Sequence, residues 1–326
     1  MTLDPARPHR TPASRMGLGL AAVGRPGYIN LGRGRDLPTG RTVAQLRRRT
    51  CELLDLAWES GVRYIDTARS YGRAEEFLAD WLRAGGDRRE ELVVGSKWGY
   101  TYTADWSVDA PVHEVKDHSP ATYDRQLAET RALLGDRLDL YQVHSVTPGS
   151  PALTDAALHR RLAALAAEGV TVGVSTSGPD QGEAVRAALE VTVDGEPLFC
   201  SVQATWNLLE PSAGPALAEA YEAGRTVIVK EGLANGRLLE PGSRPLAVLE
   251  TVARETGASP DAVALAAVLH RPWAGTVLSG AATAGQLESN LRAVEVRLDE
   301  GHLARLAGLA EAPGEYWARR SRLPWA

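Results

Sequence analysis

The chain has 326 residues, 44% of them hydrophobic, with 41 acidic against 36 basic groups and a formal net charge of -5. Such a length and apolar content suit one large or two mid-sized globular domains and exclude a largely disordered chain. The acidic balance offers nothing to a nucleic-acid backbone or an anionic membrane, and two cysteines, Cys51 and Cys200, make neither a disulfide framework nor a metal site.

The first fifteen residues hold no apolar signal segment and no later run is long enough to span a bilayer, so a cytoplasmic address is expected. Short apolar runs then alternate with stretches of helical period to the end of the chain. Strands are expected at 16–23, 62–67, 92–98, 138–144, 170–175, 201–207, 226–231 and 276–280. Between them lie helical patterns such as AEEFLADWLRA and PATYDRQLAETRALL, and one long pattern, PLAVLETVARETGASPDAVALAAVLH. Ser119 before Pro120 predicts a helix start, and Gly61, Gly135, Gly169 and Gly224 sit where left-handed caps end helices. Eight strand-helix units without a linker fit a single α/β domain over 1–326, a closed (β/α)8 TIM barrel rather than an open sheet.

One connection breaks the spacing: about twenty residues, 98–118, follow the third strand, where a βα turn of a few is usual. The loop is rich in aromatic and polar residues, so a lid over the barrel mouth is expected, with Tyr28, Trp98 and Trp106 lining the substrate pocket. An insertion packed only by its own aromatics is the alternative. The tail, 311–326, carries Trp317 and Trp325, which either fold over the mouth or pack on the flank.

Barrel chemistry sits at the C-terminal ends of strands. Asp66 ends the second expected strand, Tyr71 follows in the next loop, Lys97 lies at the end of the third and His144 ends the fourth. Neighbouring strands lie about 4.8 Å apart, so these groups converge. They fit carbonyl reduction, in which hydride comes from a nicotinamide and a proton from a side-chain acid. Tyr71 is the candidate acid; a free phenol titrates near about 10, and Lys97, held by Asp66, would lower that. His144 would orient the carbonyl. Only three basic residues are lysines, at 97, 116 and 230, which marks places where a compact amine is needed.

The segment YIDTARSYGRAEEFL resembles the signature of the aldo-keto reductases, and Lys97 after VVGS and His144 after LDLYQV match two further motif positions. The resemblance covers roughly residues 14–310 and implies an NADP(H)-dependent oxidoreductase, with NAD(H) left open. It implies that Gly19, Ser175, Gln203, Lys230, Leu233, Gly280, Thr283, Gln286 and Asn290 hold the cofactor. Two departures stand out: Thr176 replaces an asparagine after Ser175, and Lys230-Glu231 replace an aromatic residue and a serine. Lys230 is therefore open to three roles: a partner for Glu231, a phosphate ligand, or a substrate-pocket group.

His113 and His118 are five apart, so HEVKDH has no metal-site spacing, and no metal is expected. No dinucleotide fingerprint, phosphate loop or nucleophile elbow occurs. The leading function is reduction of an aldehyde, ketone or imine, or oxidation of the corresponding alcohol or sugar. A cofactor-binding sensor or partner subunit with little turnover is the alternative, and a barrel hydrolase or lyase is a third. Oligomeric state is not legible.

Overall fold

The computed structural model describes residues 12–37, 40–86 and 91–325. Residues 1–11, 38–39, 87–90 and 326 of the expected domain lie outside the described residues. In chain order the elements are β1 (Met16–Gly19), α1 (Arg33–Asp36), α2 (Val43–Glu59), β2 (Tyr64–Asp66), α3 (Ala74–Ala84) and β3 (Val93–Trp98). Then come β4 (Tyr100–Tyr102), β5 (Glu114–Lys116), α4 (Pro120–Leu134), β6 (Leu140–Val146), α5 (Ala156–Ala167), β7 (Thr171–Thr176) and α6 (Gln181–Leu189). The rest are β8 (Thr192–Val193), β9 (Glu196–Pro197), β10 (Ser201–Thr205), α7 (Gly214–Glu222), β11 (Thr226–Lys230), α8 (Arg244–Thr256), α9 (Pro260–Leu269), β12 (Thr276–Ser279), α10 (Ala284–Leu291), α11 (Glu300–Ala307) and α12 (Pro313–Arg320).

Eight parallel strands close in the order β1-β12-β11-β10-β7-β6-β3-β2, the TIM barrel. Gly17 pairs with Leu278 on one side and Tyr64 on the other, which seals the ring. Helices cover the outer face, so the strands are buried on both sides and read as near-continuous apolar runs. No helix among the described residues is long and apolar enough to cross a membrane.

Several expected boundaries shift for local reasons. β1 stops at Gly19, before a turn at 21–23, and β10 at Thr205, before a bend at 208–209. β6 continues past His144 to Val146 through a register shift, with Ser145 at φ 57°. The long helical pattern breaks into α8 and α9: Gly257 adopts φ 66°, ψ 25°, and Ser259-Pro260 starts the second helix. The 98–118 connection is ordered, since β4 and β5 pair as an antiparallel hairpin.

Two glycines let the Tyr71 loop dock. A Cβ on Gly24 would lie 2.4 Å from the Tyr71 carbonyl oxygen, and one on Gly72 would lie 2.6 Å from the Gly24 carbonyl oxygen. Gly72 also holds φ 61°. No side chain fits between these backbones.

Candidate active site

The centre of the site is a buried ion pair. Lys97 Nζ donates to Asp66 Oδ2 at 2.6 Å and to the Thr67 carbonyl at 2.9 Å, on adjacent strands β3 and β2. Asp66 Oδ1 accepts from Tyr64 Oη at 3.2 Å and from Gln203 Nε2 at 2.8 Å, so the carboxylate is held from three strands. Burial pulls the Lys97 ammonium down, and Asp66 opposes it. Gly95 makes room below: a Cβ there would stand 2.3 Å from Tyr64 Oη.

Tyr71 sits above this pair, with its ring centre 5.1 Å from Lys97 Nζ and 5.6 Å from the His144 ring, which it meets edge-on. Two backbone bonds, Thr67 N to Gly95 O and Arg69 N to Lys97 O, run its loop along β3. Burial and then the Asp66 carboxylate push the Tyr71 phenol well above the usual range, the reverse of the lowering expected from Lys97. The cation that opposes this rise is Arg25, 5.4 Å from the ring centre and 2.8 Å from Glu114. Burial, with Lys97 and Lys230 nearby, pulls His144 well below its ordinary value, so its imidazole is neutral. His144 Nδ1 is buried without a hydrogen-bond partner among the described residues.

A cavity of about 680 Å³ runs from Asp66 and Tyr71 to the start of α10. Of the expected cofactor residues, Gly19, Gln203, Lys230, Leu233, Gly280, Gln286 and Asn290 line it. Gln203 Oε1 is buried without a partner among the described residues, an acceptor suited to a carboxamide N–H. Asn290 donates to Ser279 Oγ at 2.8 Å, and Thr283 caps α10 by accepting from Gln286 N at 3.2 Å. Ser175 lies behind the wall, where its hydroxyl accepts from Ser145 N at 2.8 Å and fixes the β6 irregularity. Lys230, at the end of β11, donates to Thr205 Oγ1 at 2.9 Å. These residues fit a dinucleotide lying along the cavity.

The aromatic expectations divide. Tyr28 lines the cavity. Trp98 does not: it follows inward-facing Lys97 on β3, so strand alternation turns it outward, against Tyr123 at 5.1 Å. Trp106 also lies outside the lining, held at φ 63° with its Nε1 donating to the Arg41 carbonyl at 2.9 Å and its ring against Phe77. The hairpin is instead tied to the site by His118 Nε2, 2.8 Å from the His144 carbonyl, and by Lys116, which donates to the Ser145 carbonyl at 2.7 Å.

Arg25 and Arg320 went unnoticed in the sequence, and the placement of Trp325 was left open there. Arg25 gave no signal in a loop without period. Arg320 of α12 grips Glu231 through both carboxylate oxygens. Trp325 stacks on His113 at 4.1 Å, with Arg25 at 4.7 Å and Tyr28 edge-on at 6.4 Å, so the tail crosses the mouth. Among the described residues no three His, Cys, Asp or Glu side chains gather where a metal could sit.

The model of the aldo/keto reductase family matches residues 27–311. The uncharacterized oxidoreductase Mb2320 of Mycobacterium bovis is 30% identical over 281 residues, 77% of this chain and 79% of its own length. The uncharacterized oxidoreductase YrpG of Bacillus subtilis is 26% identical over 289 residues, 80% of this chain and 87% of its own. Among solved structures, the holo form of aldo-keto reductase AKR11C1 from Bacillus halodurans superposes with a TM-score of 0.68 at 22% identity, covering 91% of this chain and 92% of that one.

Proposed function

The chain belongs to the aldo/keto reductase family and is an NAD(P)H-dependent oxidoreductase, and on that premise we propose that it reduces an aldehyde, ketone or imine with Tyr71 as proton donor. The observation that carries this is that Asp66 and Tyr71 line one end of the long cavity, with Lys97 paired to Asp66 and the His144 ring edge-on to Tyr71. A bound dihydronicotinamide supplies the hydride. Tyr71 holds its proton firmly at neutral pH, so it is a donor to the alkoxide oxygen as negative charge develops there. Lys97 stands ready to stabilise the resulting phenolate, and Asp66 keeps that ammonium in place. A neutral His144 brings one N–H to the carbonyl oxygen without a competing charge. Oxidation of an alcohol or sugar is the same path reversed.

NADP(H) rather than NAD(H) is part of the proposal and rests on family habit, since Gly280 and Gln286 bring no charge to the adenosine end. A cytoplasmic address, where reduced cofactor is supplied, and a small-molecule partner belong to the same reading. The test is tryptophan-fluorescence titration with NADPH and NADH, followed by turnover of a carbonyl panel by wild type and Tyr71→Phe. We expect kcat to fall about 10²–10⁴-fold in the variant while the NADPH Kd changes less than about twofold. Full turnover by Tyr71→Phe would remove Tyr71 as the acid, and binding without turnover in wild type would favour a sensor.

A further inference from the structure

The charged groups that act on Tyr28, Tyr71 and Lys230 include three cations, Arg25, Lys97 and Arg320, and three carboxylates, Asp66, Glu114 and Glu231, with Lys230 itself a fourth cation. Three pairs account for six of them. Arg25 lies 2.8 Å from Glu114, Lys97 lies 2.6 Å from Asp66, and Arg320 takes both oxygens of Glu231. Lys230 shares Glu231 with Arg320: its Nζ is 3.9 Å from Glu231 Oε1, within ion-pair range but beyond hydrogen-bond length.

Hydrogen-bond counting sharpens this. The single proton of the Thr205 hydroxyl goes to Glu231 Oε2 at 3.1 Å, so the Thr205 oxygen accepts from Lys230 Nζ at 2.9 Å. An ammonium has three donors. Two are therefore without a hydrogen-bond partner among the described residues, on a side chain only 15% exposed that lines the same cavity as Tyr71. A mostly buried cation with unused donors, whose carboxylate partner is gripped by another cation, is costly unless a ligand completes it. Lys230 pairs with Thr205 at the end of β10, the strand whose Gln203 bonds Asp66, which places it with the reacting end of the cavity.

We propose that Lys230 is the anion-binding residue of the substrate chamber, so that the preferred substrate is a carbonyl compound bearing a carboxylate, which pairs with Lys230 Nζ while the carbonyl lies at Tyr71. The proposal rests on the carbonyl-reductase reading above. A carboxylate supplies two acceptor oxygens to the two open donors and returns the cluster to neutrality. A neutral substrate of equal shape leaves both deficits in place.

The experiment compares 4-carboxybenzaldehyde with its uncharged methyl ester in wild type, Lys230→Met and Lys230→Gln, the last keeping a donor for Thr205. Benzoate affinity is measured in parallel by tryptophan fluorescence with NADP⁺ bound. Wild type should favour the acid over the ester in kcat/KM by roughly tenfold or more, the effect of a charge-assisted hydrogen bond. Both variants should bring that ratio to about one and weaken benzoate by a similar factor. A wild-type ratio near one, or a ratio unchanged in both variants, overturns the proposal. If the variants lose NADPH affinity and keep the ratio, Lys230 serves the cofactor instead. If neither aldehyde is reduced but benzoate binding still depends on Lys230, the anion site stands and the reductase reading falls. If neither is reduced and benzoate is indifferent to Lys230, both fall.

Discussion

Arg320 spans both oxygens of Glu231, its Nε lying 3.0 Å from Oε1 and 2.9 Å from Oε2. The pair ties α12 to the residue that follows β11, and so fastens the C-terminal tail to the rim of the cavity. Burial alone would push the Glu231 carboxyl up, but Arg320 and Lys230 hold it at about 2. Glu231 also sits at φ 57°, a strained value for a residue with a side chain, and the ion pair helps to hold it there.

Arg320→Ala should therefore destabilise the fold. Breaking a fully buried pair costs about 3–5 kcal/mol, and with Arg320 19% exposed the loss should be nearer about 2–3 kcal/mol. Urea unfolding measures it. Adding Glu231→Gln should recover part of the loss, because no uncompensated carboxylate then remains. An unchanged midpoint in the single variant would mean that the tail is not anchored through this pair.

Gly24→Ala should damage catalysis from a distance. Its new methyl would stand 2.4 Å from the Tyr71 carbonyl oxygen and 2.5 Å from the Ala74 Cβ, so backbone must move. Stability should drop by about 1–3 kcal/mol. Because Tyr71 is reoriented, kcat should fall more than about tenfold. Gly27→Ala is the control, since a Cβ there meets its nearest neighbour at 3.5 Å, an ordinary contact. Equal effects of the two variants would count against the close-approach argument.

Titration of the site has a definite sign. The folded protein holds His144 well below 6.5, so the unfolded chain binds the extra proton first as pH falls. Stability should then decline below about pH 6.5, with His144 contributing up to about 1.4 kcal/mol per pH unit. Burial lowers Lys230 from 10.5 to about 8, against the attraction of Glu231, so between those values the unfolded chain again carries more protons and stability should rise with pH. Urea midpoints from pH 5 to 10 for wild type, His144→Asn and Lys230→Met separate the two contributions. An acid slope unchanged in His144→Asn would assign that limb to another group.

Much of this was legible in the chain. The patterns AEEFLADWLRA and PATYDRQLAETRALL coincide with α3 and α4, because helical period and the Ser119-Pro120 start are local information. Gly61, Gly135, Gly169 and Gly224 all hold positive φ for the same reason. Asp66, Tyr71, Lys97 and His144 could be grouped because strands adjacent in sequence order are adjacent in a barrel, and β2, β3 and β6 pair side by side. Trp98 could have been placed by the same logic: alternation along β3 points it away from the side that Lys97 faces.

What local pattern cannot carry is the partner of a side chain far along the chain. Asp66 meets Gln203 across 137 residues, and Arg320 meets Glu231 across 89. Nor does a motif report the dielectric around its members: the pairing of Tyr71 with Lys97 suggested a lowered phenol, whereas burial and Asp66 raise it. By itself the sequence determined the barrel and the four candidate groups at its mouth, since these follow from periodicity and from residue type at strand ends. Only the tertiary structure decided that the tail crosses the mouth, that Arg25 faces Tyr71, and that Lys230 must share Glu231 with Arg320. Those are sums over charges and contacts gathered from distant segments, and they exist only once the ring has closed.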